Sequence, residues 1–172
     1  VIVRGERHGD VEAIAEVVRE AFIDQAPAGT EPVEVALVEA LRADAAWIPS
    51  LSLVAEVDGQ VVGHVLATRG HVDGHPALGL APLAVRPAHQ GRGIGSALVE
   101  ALLAQADADG EALVALLGDP AYYSRFGFVR AEELGVVPPV PEWAPHFQAR
   151  PLDAYDPQMR GTFTYAAPFA QL

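Results

Sequence analysis

The chain of 172 residues contains no cysteine, and all eleven of its basic residues are arginine, so lysine is missing as well. Without thiols there are no disulfides, no thiolate nucleophile, no iron–sulfur ligation and none of the common structural zinc sites. Without an ammonium side chain, Schiff-base chemistry, a pyridoxal phosphate linkage and a Walker-type phosphate loop are excluded. Long apolar runs are missing too. The longest, Ala77 to Val85, is interrupted by Gly79 and Pro82 and falls well short of the roughly 20 residues a membrane helix needs, so no membrane partner is expected. Positive charge is scarce: a net charge of −12 repels a phosphate backbone and no local basic patch offsets it, which argues against nucleic acid. The same field attracts cationic small molecules, amines among them, and serves solubility equally well.

What is present is core material. At 51% hydrophobic and 20% charged, the composition is that of a globular protein, and the length fits one domain over residues 1–172. The opening Val1-Ile2-Val3-Arg4 lacks the basic head and apolar stretch of a signal peptide, and the expected location is cytoplasmic. No His-x-x-x-His pair or carboxylate cluster has metal-ligand spacing, so no metal is expected.

Patterning gives an order of elements. Val1 to Arg4 reads as a strand. Asp10 is a candidate N-cap for a helix to about Phe22, with Val11, Ile14, Ala15, Val18 and Phe22 at helical spacing. Thr30 is a candidate cap for a second helix, with Pro32 in its first turn and Val35, Leu37, Val38 and Leu41 on its apolar face. Two β-rich runs, Leu51 to Val57 and Val61 to Thr68, flank Asp58-Gly59 and predict an antiparallel hairpin. Gly70 to Pro76 reads as a turn-rich stretch. Ala77 to Val85 is a further strand, in which Pro82 hinders ladder pairing. A helix from Gly95 to about Asp109 stops at Gly110, and Leu113 to Leu117 has the continuous apolarity of a strand buried on both faces. A short helix over Pro120 to Phe126, a strand from Phe128, and late strands at Phe147 to Leu152 and Thr162 to Tyr165 complete a mixed α/β sheet with helices on both faces.

Two stretches carry chemistry. In Leu83-Ala84-Val85-Arg86-Pro87-Ala88-His89-Gln90-Gly91-Arg92-Gly93-Ile94-Gly95-Ser96, a strand runs through alternating glycines into a helix. Backbone amides approach a ligand there without a Cβ in the way, and a helix start adds unsatisfied N–H groups and a positive dipole end, a combination suited to a pyrophosphate. The dinucleotide fingerprint would need glycine at position 96, which is Ser96, and this weakens a nicotinamide reading. The second stretch, after the next strand, is Gly118-Asp119-Pro120-Ala121-Tyr122-Tyr123-Ser124-Arg125-Phe126-Gly127-Phe128.

Together, Gln90-x-x-Gly93-x-Gly95 and Tyr-Tyr-x-x-x-Gly-Phe some thirty residues later resemble the GCN5-related N-acetyltransferases, and look most like their YhbS-like bacterial subgroup. The resemblance is strong from about Leu80 to Val129, with a core over about 77–130, and loose in the C-terminal strands over about 136–172. It implies an acyl-CoA N-acyltransferase fold, a mostly antiparallel sheet splayed between its fourth and fifth strands. It also implies acetyl-coenzyme A as donor and a small-molecule or peptide amine as acceptor. On this template the backbone of Leu83, Ala84 and Val85 pairs with the pantetheine arm, and Gln90, Gly91, Arg92, Gly93, Ile94, Gly95 and Ser96 form the pyrophosphate loop. Arg125 is a further candidate phosphate contact. Tyr123 is placed as general acid toward the leaving thiolate, with core packing as the competing role, and core packing is favoured for Tyr122.

The general base stays open. The strand Ala77 to Ala81 carries no acid, and Glu56, His64, His71 and His75 are the candidates on adjacent strands; His64, with an unperturbed pKa near 6.5, leads them. The missing acid leaves an alternative, a coenzyme-binding sensor without turnover. Phe22, Trp47 and Trp143 are candidate walls of an acceptor pocket, with core packing as the competing role. A homodimer through the late strands is a further expectation from the resemblance.

Overall fold

The computed structural model describes residues 1–172. The chain forms β1 (Ile2–Gly5), α1 (Val11–Phe22), α2 (Val33–Arg42), β2 (Ser52–Val57), β3 (Gln60–Val72), β4 (His75–Val85), α3 (Ile94–Ala108), β5 (Leu113–Leu117), α4 (Pro120–Tyr123), β6 (Val129–Arg130), β7 (Val136–Val137), β8 (Phe147–Pro151) and β9 (Gly161–Thr164). The sheet has the order β1-β2-β3-β4-β5-β8-β6, with β9 pairing β3 and β7. Neighbours along the main path are antiparallel except β4 and β5, which run parallel. No helix is long and apolar enough to cross a membrane.

The β2–β3 hairpin turns at Asp58-Gly59, as the Asp-Gly signal predicts, with φ of 51° and 80° at the two residues. Gly70 to Pro76 is not a loop. Asp73-Gly74 makes a second tight turn with both φ positive, β3 runs on to Val72, and β4 begins at His75. His71 and the turn residues Asp73 to Pro76 are exposed, whereas Gly70, Val72 and Ala77 are buried, and β9 pairs with β3 at His71 and Val72. The turn residues and histidines mask this strand character in the sequence.

Neither expected cap residue caps its helix. Thr30 folds its hydroxyl back onto the Pro27 carbonyl (2.6 Å), and Pro32 is the residue that enters α2. Asp10 stands at the N-terminus of α1 without capping it. Its carboxylate accepts from the Arg7 amide (2.6 Å) and from the Arg4 guanidinium (2.7 and 3.0 Å), which also reaches Glu56 at 2.9 Å. These contacts hold the Asp10 and Glu56 carboxyls below the usual carboxylate range.

Apolar side chains divide by sheet face. α3 covers one face over Leu53, Val65, Leu80 and Leu116, whereas α1 and α2 cover the other over Val54, Leu66 and Ala84. The alternation along β4 assigns Leu83 and Val85 to the α3 side and Ala84 to the α1 side, as the period of two requires. A third cluster joins Phe147, Phe163 and Val72 beneath the late strands.

Candidate functional site

The sheet opens in its middle. β4 and β5 pair at only two positions, Leu78 with Val114 and Gly79 with Ala115, and β5 then continues against β8. β4 runs on to Val85, paired on its other edge with β3 at Leu83–Val65, Ala84–His64 and Val85–Gly63. The register with β3 shifts between Leu80 and Leu83, where Pro82 sits, since proline has no N–H to give the ladder. From Ala81 onward the β5-facing edge of β4 therefore presents backbone groups inside the sheet without a strand partner. Such an edge accepts an extended chain by main-chain hydrogen bonding.

That edge leads into the glycine loop. The first helical hydrogen bond of α3 runs from the Ala97 amide to the Gly93 carbonyl at 3.0 Å, and the amides of Gly91 to Ser96 donate to no backbone carbonyl. Gly93 stands just before the helix at φ 82°, a left-handed conformation that costs other residues roughly 1–2 kcal/mol. No side chain caps this end. Free amides plus the helix dipole make a seat for an anion. Gln90 does not point its amide at that seat: its Nε2 donates to the Val85 carbonyl (3.0 Å), tying the loop to the end of β4. Arg92 is exposed on the loop.

Tyr123 stands across the opening at the end of α4. Asp119 caps this short helix by accepting from the Ala121 amide (2.9 Å), and the turn sets Tyr123 against Gly118 at the end of β5. The Tyr123 ring packs edge-on against Phe128 at 5.8 Å and Tyr122 at 4.9 Å. Burial pushes its phenol up to about 12, so it stays protonated throughout the physiological range. Tyr122 packs against the α3-side core, and its hydroxyl lies where a Cβ on Gly95 would be 2.9 Å away, against the first turn of α3. Arg125 stacks over the Tyr122 ring at 4.6 Å and donates through Nε to the Tyr122 carbonyl (2.9 Å), which braces the same turn.

None of the four base candidates stands free at the opening. Glu56 is bound by Arg4. His64 is fully buried on the α1 side, where burial lowers it to about 4; its Nε2 lies 3.0 Å from Ser52 Oγ, which donates to Glu6 (2.6 Å). His71 and His75 flank the second hairpin turn, at the opposite end of β4. Trp47 lies beneath the Arg42 guanidinium and Phe22 packs on the α1–α2 core, so of the three aromatic candidates only Trp143 lines a cavity that reaches the opening. Tyr165, Phe169 and Leu117 share that cavity; the sequence places Leu117 and Tyr165 only in strands and does not single out Phe169.

Known proteins share this arrangement. Residues 49–130 match the acetyltransferase (GNAT) domain family. The uncharacterized N-acetyltransferase YhbS of Escherichia coli K12 is 38% identical over 131 residues, 74% of this chain and 73% of that protein. A crystal structure of Escherichia coli YhbS in complex with CoA aligns with a TM-score of 0.86 at 32% identity, covering 98% and 91% of the two chains. A GNAT family acetyltransferase from Brucella melitensis, solved with acetyl-CoA, aligns with a TM-score of 0.79 at 36% identity over 98% and 97%. The uncharacterized N-acetyltransferase YjhQ of Escherichia coli is 40% identical over 99 residues, which spans only 55% of either protein. The free β4 edge, the uncapped start of α3 and a likeness that runs nearly the whole length of solved relatives lead to one conclusion: this chain belongs to the GNAT acetyltransferase family.

Proposed function

We propose that this protein transfers an acetyl group from acetyl-coenzyme A to a primary amine by direct attack in a ternary complex. The observation that carries this reading is the continuity of the unpaired β4 edge with the free amides of Gly91 to Ser96, one extended binding track ending in an anion seat. The outward backbone groups of the Leu83 to Val85 stretch suit a pantetheine arm, the amides at the start of α3 suit a pyrophosphate, and Arg92 adds a cation beside it. Gln90 and Arg125 act as braces, holding the loop and the α4 turn in place.

In the transfer the amine lone pair attacks the thioester carbonyl, a C–N bond forms, and the C–S bond breaks with its electron pair leaving on sulfur. Tyr123 gives the departing sulfur a hydrogen bond and then a proton, and is reloaded from water, while the amide nitrogen sheds its extra proton to water. A phenol near 12 is a weaker acid than a free thiol at about 8.5, so hydrogen bonding to the developing thiolate is the larger contribution. With Glu56, His64, His71 and His75 engaged or distant, the amine enters as its free base.

The absence of a free base at the opening also favours a second reading, a coenzyme-binding sensor. Thermal unfolding with acetyl-CoA, CoA and NADH tests the binding half: ligands of the native state at about one hundred times Kd raise the midpoint by a few degrees. A rise with the two coenzyme A ligands alone supports the assignment; no rise overturns it. Binding without turnover of any amine leaves the sensor.

A further inference from the structure

The opening between β4 and β5 has a second side. On the sheet face opposite α3, a groove of about 800 Å³ is lined by Ala81 and Leu117, the two lips of the opening, and by Trp143, Phe163, Tyr165 and Phe169 behind them. That volume is in the range of sites for small molecules. No residue lining it has a charged side chain. Leu117 is 44% exposed there, an unusual position for a leucine at the end of a central strand.

Tyr165 forms the floor. Its ring lies on β4 at Gly79, where a Cβ would approach Cδ1 to 2.7 Å, directly beside the last β4–β5 pair. Phe169, Phe163 and Trp143 surround it with ring centroids at 4.7, 4.8 and 6.4 Å. Nothing in the protein hydrogen-bonds its hydroxyl, which burial raises above the usual phenol value. The groove thus offers aromatic walls, one phenol and no side-chain carboxylate.

We infer that this groove seats the acceptor, and that the acceptor is a primary monoamine with an apolar alkyl or arylalkyl body. The inference rests on the acetyltransferase reading above. Continuity carries the location, since the groove shares Ala81 and Leu117 with the opening where transfer occurs. Charge carries the chemistry: a polyamine or an aminoglycoside would bring several ammonium groups against a wall with no acidic side chain, and each unpaired buried charge is costly. A monoamine brings one, and the same apolar surroundings favour its neutral, nucleophilic form. Trp143 joins the groove through this role, whereas Phe22 and Trp47 do not.

The test is a series of acceptors, ethylamine, butylamine, hexylamine and phenethylamine, against spermidine and an aminoglycoside, at fixed acetyl-CoA. The expected kcat/KM rises about fourfold per methylene until the groove is filled, following the transfer free energy of a buried CH₂. Phe169→Ala flattens that slope, and so does Leu117→Ser, whose exposed position leaves the core intact. Acetyl-CoA binding with spermidine or the aminoglycoside preferred, or with no dependence on chain length, overturns this inference alone. Failure of acetyl-CoA to bind overturns the acetyltransferase reading and this one with it. Sedimentation that shows a second copy covering the groove, with the dimer lost in Phe169→Ala, also overturns it.

Discussion

The ring of Tyr123 lies against the backbone of Gly118, so closely that a Cβ there would stand 2.6 Å from Cε2. Gly118 is thus the surface on which the phenol is positioned, immediately after β5 and at the opening. Gly118→Ala should displace the ring and lower acetyl transfer by tenfold or more, because misplacement of about 1 Å can cost a hundredfold. Acetyl-CoA should still raise the melting midpoint. Parallel rate and melting measurements check this, and an unchanged rate would remove Tyr123 from the mechanism.

Gly93 tests the anion seat. Its φ of 82° aligns the loop amides with the start of α3, and Gly93→Ala should strain or rearrange the loop. The expected result is at least a tenfold weaker Kd for acetyl-CoA by calorimetry, with stability of the free protein lowered by about 1–2 kcal/mol.

The pH dependence of transfer should report the acceptor. With no free titratable base at the opening and Tyr123 protonated up to about 12, kcat/KM rises on the acidic side with the fraction of free amine. Two acceptors whose pKa values differ by two units should give acidic limbs displaced by about two pH units. Coincident limbs near pH 6.5 would point to a histidine instead.

His64 makes stability, rather than catalysis, depend on pH. Its folded pKa of about 4 lies below the unfolded value near 6.5, so the unfolded chain binds the proton first as pH falls. Between pH 7.5 and 5, where most carboxylates remain ionised, the protein should lose about 2 kcal/mol of stability. Chemical denaturation of His64→Gln should show a flatter profile over that window, whatever its absolute stability.

Much of this was readable from the sequence where punctuation is local. Asp58-Gly59, the glycines from 91 to 95 and Asp119-Pro120 announce their turns through backbone requirements of their own residues. What escaped depends on partners far along the chain. Asp10 yields its cap to Arg4, which also takes Glu56 from the set of free bases, and His64 is disabled by burial beside Ser52 and Glu6. The groove draws on residues from Ala81 to Leu172, and Tyr165 joins it only because Gly79 leaves room for its ring. No window of sequence holds both.

The central claim is that Tyr123 assists departure of the coenzyme thiolate during transfer to an amine. The chain has no cysteine, so every free thiol that appears in solution comes from the coenzyme. Amine-dependent thiol release from acetyl-CoA should be readily measured for the native protein and fall by about 10²–10⁴ in Tyr123→Phe, with the melting shift on acetyl-CoA retained. Equal rates in the two proteins, or no amine-dependent release from either, would contradict the account.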